Sequence, residues 1–132
     1  MIRSVAVVHD DPEFLVAAAA ALRAAGCQVT TYTGSMAALN GIEAAGDVDV
    51  LVTRITFPPR APNGVSLALV LRAKFPKLKI VFTDGILKRH VAGIGEQFSH
   101  PVDLGKLARA VVGEAFADSP EIRRLGSGRL VE

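Results

Sequence analysis

A single cysteine, Cys27, excludes an intramolecular disulfide, so the fold has to be held by its core. Tryptophan is absent and aromatics make up only 5% of the chain, while half of all residues are hydrophobic. The core must therefore be built from Val, Leu, Ile and Ala, a composition of α/β proteins and not of disordered chains. The formal net charge of +2 is too small to argue for nucleic acid by itself. The longest apolar helical stretch, Phe14 to Ala25, is too short to span a bilayer and contains Arg23. Met1-Ile2-Arg3 runs straight into a strand pattern, so no signal peptide is expected and the expected location is the cytoplasm. With 132 residues the chain is one domain by length, long enough for one ordinary core.

What is present is a repeated alternation of strand and helix signals. Ser4-Val-Ala-Val-Val8 reads as a strand that stops at His9-Asp-Asp-Pro12. Asp11 is suited to cap the following helix and Pro12 to its first position, with Glu13 favoured at the positive helix end. Five consecutive alanines, from Ala17, give that helix high propensity, and Gly26 ends it. A second strand covers about Cys27 to Tyr32, with Cys27, Val29 and Thr31 on one face. Ser35 is the expected cap of the second helix, which Asn40-Gly41 weakens and Gly46 closes.

The stretch Asp49-Val-Leu-Val-Thr-Arg-Ile-Thr-Phe-Pro58 is the centre of the pattern. It is apolar, rich in β-branched residues and closed by Pro58-Pro59, the mark of a strand buried on both faces of a parallel sheet. We expect the strand over Val50–Ile55, which puts Arg54 at its carboxyl end. A stiff loop with three prolines follows. The third helix is expected over Val65–Phe75, its apolar positions nearly encircling it, and Pro76 stops it. Lys79 to Thr83 is the fourth strand, and Asp84-Gly85 a turn. A short helix over 86–92 and a weak strand over Glu96–Ser99 lead to a last helix capped by Asp103. Asp49 is expected to be a solvent-facing strand start, and Cys27 a small core residue.

Five alternations with right-handed crossovers give a flavodoxin-like (βα)5 three-layer sandwich, α/β in class. The expected sheet is parallel and five-stranded, of order 2-1-3-4-5, with its crevice at the ends of strands 1 and 3. That crevice would be lined by His9, Asp10 and Arg54. Residues 1–117 form the domain, and 118–132 a polar tail.

The chain resembles the receiver domains of two-component response regulators, from Ile2 to about Phe116. Val7-Val8-His9-Asp10-Asp11-Pro12 resembles their acidic-pair motif, and Asp49 to Pro58 the strand carrying the phosphoacceptor. Asn63-Gly64-Val65 resembles their turn into the third helix. Thr83 falls at the switch hydroxyl, Ser99-His100-Pro101 at the Lys-Pro pair, and Gln97 at the aromatic switch position. The resemblance implies a signalling module and not an enzyme, with a histidine kinase or output protein as partner and a homodimer as a further possibility. No contact with nucleic acid or membrane and no cofactor is implied.

The family's chemistry is incomplete here. The nucleophilic aspartate falls on Arg54, whose guanidinium cannot attack phosphorus. The first acid of the pair falls on His9, and the lysine on His100, which titrates near neutrality. Asp10 and Thr83 remain, with Asp11 as a spare carboxylate. A hard cation needs several oxygen ligands. Arg54 would instead pair with Asp10, and with Asp11 as a second candidate, through charge-assisted hydrogen bonds. The expected reading is a pseudo-receiver whose crevice (His9, Asp10, Asp11, Arg54, Thr83, His100) holds no metal. The alternative is a ligand- or metal-responsive regulator or enzyme using Asp10 or Asp11 there. Thr83 fits either a coupling role or simple satisfaction of a loop backbone group. The bases from Arg54 to Arg89 fit either a basic face or a solvated surface.

Overall fold

A computed structural model describes residues 2–57, 63–83, 93–98 and 102–117, the last four by backbone alone. The described elements are β1 (Ser4–Val8), α1 (Pro12–Ala24), β2 (Gln28–Tyr32), α2 (Ser35–Ala45), β3 (Val50–Thr53), α3 (Gly64–Lys74), β4 (Lys79–Phe82), β5 (Glu96–Gln97) and α4 (Leu104–Ala117). The five strands are all parallel and ordered β2-β1-β3-β4-β5, the expected flavodoxin-like sheet.

Strand alternation divides the core between the two faces of the sheet. Val5 and Val7 of β1 face one way, with Val50 and Val52 of β3, and are covered by Leu15, Ala18 and Leu22 of α1 and Leu107 and Val111 of α4. Ala6 and Val8 face the other way, with Leu51 and Phe82, under Ile42 of α2 and Leu67 and Leu71 of α3. All four residues of β3 are buried, as its apolar run implies. Alanine at positions 18 and 19 lets α1 lie close on the sheet, and both are buried. Cys27 is buried as expected, and that burial pushes its thiol pKa up.

Several boundaries differ from expectation. The β3 ladder stops at Thr53, so Arg54 is the first residue beyond the strand. Helix α2 is capped by Gly34, and Ser35 is its buried first residue, with no side-chain cap bond. Ser35, the better capping residue by type, is 1% exposed and already helical, so the cap position falls to Gly34. Gly41 does not interrupt α2. The Tyr32 ring fills the space beside it, and a Cβ there would lie 2.5 Å from Tyr32 Cε1. In β2, Val29 is buried while Thr31 is exposed, since β2 is an edge strand without helical cover at that point. The apolar residues of α3 do not encircle it in a buried environment: Leu67, Ala68 and Leu71 face the sheet, but Leu69 and Val70 are 52% and 44% exposed. Asp49 is not idle at its strand start. Its Oδ2 accepts the Ser4 amide at 2.7 Å, and its carbonyl accepts the Lys79 amide at 3.0 Å, tying β1, β3 and β4 together.

Asp103 caps α4, its Oδ1 accepting from the Lys106 amide at 3.0 Å. The helix breaks at Gly113 (φ 74°, ψ −159°), and Arg3 Nε donates to the Val112 carbonyl just before that break. The expected helix over 86–92, Ser99 and the tail 118–132 lie outside the described residues. None of the described helices is long and apolar enough to cross a membrane.

Candidate functional site

The carboxyl ends of β1 and β3 are neighbours in the sheet, so the residues that follow them meet. His9 follows β1 and extends its ladder, its amide donating to the Tyr32 carbonyl at 3.1 Å. Its side chain is buried, and the ring lies 4.4 Å from that of Phe14, tilted by 31°. His9 Nδ1 accepts the Asp11 amide at 3.0 Å. His9 Nδ1 also lies 3.6 Å from Asp10 Oδ1.

The two adjacent aspartates have different roles. Asp11 Oδ1 accepts the Glu13 amide at 3.0 Å, so Asp11 is the N-cap of α1 and its carboxylate is turned to the helix start. Asp10 points across the crevice, and its Oδ1 lies 2.5 Å from Arg54 Nη1. The expectation that Arg54 could take Asp11 as well as Asp10 is corrected here, because the cap geometry holds Asp11 elsewhere. The Arg54–Asp10 pair is partly open to water, with side-chain exposures of 25% and 36%. The Arg54 hydrogen bond holds the Asp10 carboxyl below its ordinary value, against the opposing effect of burial.

Arg54 is held by its backbone as well. Its amide donates to the Val8 carbonyl at 3.3 Å, and its carbonyl accepts from Thr53 Oγ1 at 2.9 Å. Helix α3 begins against this backbone. The Gly64 amide donates to the Ile55 carbonyl at 2.7 Å, and a Cβ on Gly64 would overlap the Arg54 carbonyl. Only glycine permits that approach. Asn63 Oδ1 accepts the Ser66 amide at 2.8 Å and caps α3. Thr83 joins from β4, its amide donating to the Thr53 carbonyl at 3.0 Å. The Thr83 side chain is 1% exposed, and its hydroxyl has no hydrogen-bond partner among the described residues.

The crevice thus brings together His9, Asp10, Arg54 and Thr83. Asp11 stands beside it in a capping role, and His100 lies outside the described residues. Sequence reasoning missed the part of Thr53 and the reason for Gly64. A hydroxyl inside a wholly buried strand was the available signal for Thr53. The basic stretch is partly absorbed by structure: Lys74 Nζ lies 3.0 Å from Glu43, Arg72 donates to the Ile94 carbonyl, and Lys79 to the Ala110 carbonyl. Arg60, Lys88 and Arg89 lie outside the described residues.

Chemically, the crevice has a fixed cation at its centre and a carboxylate already engaged by it. The guanidinium is no nucleophile. Among the described residues no three His, Cys, Asp or Glu side chains are placed to share a metal ion.

No protein-family model matches the chain, and no curated protein matches it. Solved structures do. A response regulator receiver protein from Sinorhizobium medicae aligns with a TM-score of 0.75 and 23% identity, over 84% of this chain and 92% of its own. One from Pseudomonas putida gives 0.70 and 24%, over 86% and 98%. The BeF3-activated DrrB receiver domain gives 0.73 and 22%, over 90% and 100%. At these identities the likeness is one of fold, and the chain has the fold of response-regulator receiver domains.

Proposed function

We propose that this chain is a receiver-type signalling domain that works without phosphorylation, through contacts with a protein partner such as a histidine kinase or an output protein. It is a binding module of the cytoplasm and not an enzyme, and residues 118–132 are a tail outside the domain. The observation that carries this reading is the Arg54 Nη1–Asp10 Oδ1 contact of 2.5 Å at the carboxyl ends of β1 and β3. A side-chain cation stands where the receiver chemistry would require an aspartate and a divalent metal. Magnesium prefers several oxygen ligands and keeps its waters. Asp10 is engaged by Arg54, and Asp11 by the Glu13 amide at the start of α1, so this crevice supports neither the metal nor the phosphoryl group.

The test is an amide NMR titration of the full chain with magnesium and beryllofluoride, a phosphoryl mimic. The expected result is no shift at His9, Asp10, Arg54 or Thr83 at about millimolar ligand, weaker than ordinary divalent sites. Saturable shifts at Asp10 and Thr83 would refute the reading and favour a metal- or ligand-responsive regulator.

A further inference from the structure

Between the sheet and the carboxyl end of α2 lies a cavity of about 230 Å³. Its walls come from the pairing of β1 with β2. The register sets Ser4 beside Gln28, Ala6 beside Thr30 and Val8 beside Tyr32, so these side chains share one face of the sheet. Ala6 and Val8 pack with Ile42 of α2, which makes it the α2 face. Short side chains at Ala6, Thr30 and Ala45 leave the space between strands and helix open. The Tyr32 ring lies against Gly41 of α2 and closes one end. β2 is an edge strand, and Gln28, Thr30 and Asp47 are exposed, so the cavity opens to solvent along the sheet edge.

The lining is polar, unlike that of a packing defect. Ser4, Gln28, Thr30, Tyr32 and Asp47 all contribute to it. Among the described residues, none of these five side chains has a hydrogen-bond or ion-pair partner. Apolar cavities stay dry, whereas uncommitted polar groups take up water or a ligand. At about 30 Å³ per water the space holds several waters, or one compact molecule below drug size.

The charge around the cavity has one sign. Among the described residues, Asp47 is the one charged group in the lining. Ala45, the last residue of α2, forms part of the wall, and the carboxyl end of a helix is negative. The last turn of α2 carries no base to offset it. Carboxylate and helix end together attract a cation, while the hydroxyls and the Gln28 amide offer donors and acceptors to neutral groups.

We propose that this cavity binds a small organic ammonium compound bearing hydroxyl groups, its cation against Asp47 and the carboxyl end of α2 and its hydroxyls on Ser4, Gln28, Thr30 and Tyr32. Ser4 and Gln28 are the first residues of their strands. The site therefore opens at the other end of the sheet from Arg54 and Asp10, and it does not rest on the reading of that crevice.

The experiment is an amide NMR titration of the full chain with serinol (2-amino-1,3-propanediol) at matched ionic strength. Saturable shifts are expected at Ser4, Gln28, Thr30, Tyr32 and Asp47, with a Kd of about 1 mM for so small a ligand. Glycerol, in which a hydroxyl replaces the ammonium, should bind about tenfold more weakly, and so should serinol to the Asp47→Asn protein. Thr30→Val keeps a β-branched residue on the strand and should weaken serinol by about fivefold. Unchanged amide spectra away from the cavity show that both variants are folded. The absence of saturable shifts at these residues up to about 50 mM serinol, well beyond the expected Kd, overturns the proposal. So does glycerol binding as tightly as serinol, which would make the cavity a hydrated pocket without selection for charge, or wild-type affinity in the Asp47→Asn protein. Tighter binding of Nα-acetyl-lysinamide than of serinol would assign the cavity to a lysine side chain of a protein partner and overturn the small-molecule assignment.

Discussion

Removing the guanidinium from the crevice gives the most direct test of the arrangement at the sheet ends. In an Arg54→Ala protein, Asp10 loses the hydrogen bond from Nη1 that now lies 2.5 Å away. A hydrogen bond to a charged group contributes about 2 kcal/mol when well buried. Asp10 is 36% exposed, so water and salt screen the pair and the expected loss is about 1 kcal/mol. The pH dependence follows from the direction of the Asp10 shift. Its carboxyl is held low in the folded protein, chiefly by the Arg54 hydrogen bond. The stabilisation is then fully present above the unfolded value of about 3.9 and is lost as pH falls through the lower folded value. At pH 7 the variant should unfold in urea about 0.6 M earlier than wild type, taking a slope of about 1.6 kcal/mol per M for a domain of this size. The gap should close when the comparison is repeated well below pH 4. A double-mutant cycle with Asp10→Asn isolates the pair, and the coupling should be about 1 kcal/mol at pH 7 and shrink in high salt. Zero coupling at pH 7, or a coupling that does not change between pH 7 and acid, would refute the reasoning.

Two other substitutions probe how the site is built. Gly64→Ala should cost about 2–3 kcal/mol in urea unfolding, because the new methyl group overlaps the Arg54 carbonyl and α3 has to shift. A loss below about 0.5 kcal/mol, within the range of ordinary surface changes, would mean that this approach is not tight. Asp11→Ala should cost about 1 kcal/mol by removing the α1 cap, while leaving the Arg54–Asp10 coupling intact. Loss of that coupling in the Asp11→Ala protein would show that Asp11 belongs to the crevice after all.

Much of the frame was legible in the sequence because its signals are local. The apolar run of β3, the Asp11-Pro12 helix start and the Gly46 and Pro76 stops each depend on a few adjacent residues. Alternation with helices and the right-handed crossover imply a parallel sheet covered on both faces, and the order observed is the one the resemblance to receiver domains implies. The positions of His9, Asp10 and Arg54 at one end of the sheet follow from that order in turn.

Tertiary structure alone decided the rest. Asp10 and Asp11 are chemically identical neighbours, and a contact 44 residues away in the chain selects Asp10 for Arg54 while the Glu13 amide takes Asp11. Ser35 is the better helix cap by residue type, yet it is buried inside the helix and Gly34 stands at the cap. The exposure of Leu69 and Val70 is invisible to a count of apolar residues on α3, since periodicity does not say which part of an apolar surface the sheet can reach. Gly41 and Gly64 look alike in the sequence, yet Gly41 lies against the Tyr32 ring and only Gly64 is pressed on a backbone carbonyl, that of Arg54. Composition and spacing fix which elements form. Which side chains meet is set by packing between residues far apart in the chain, and no local pattern encodes that.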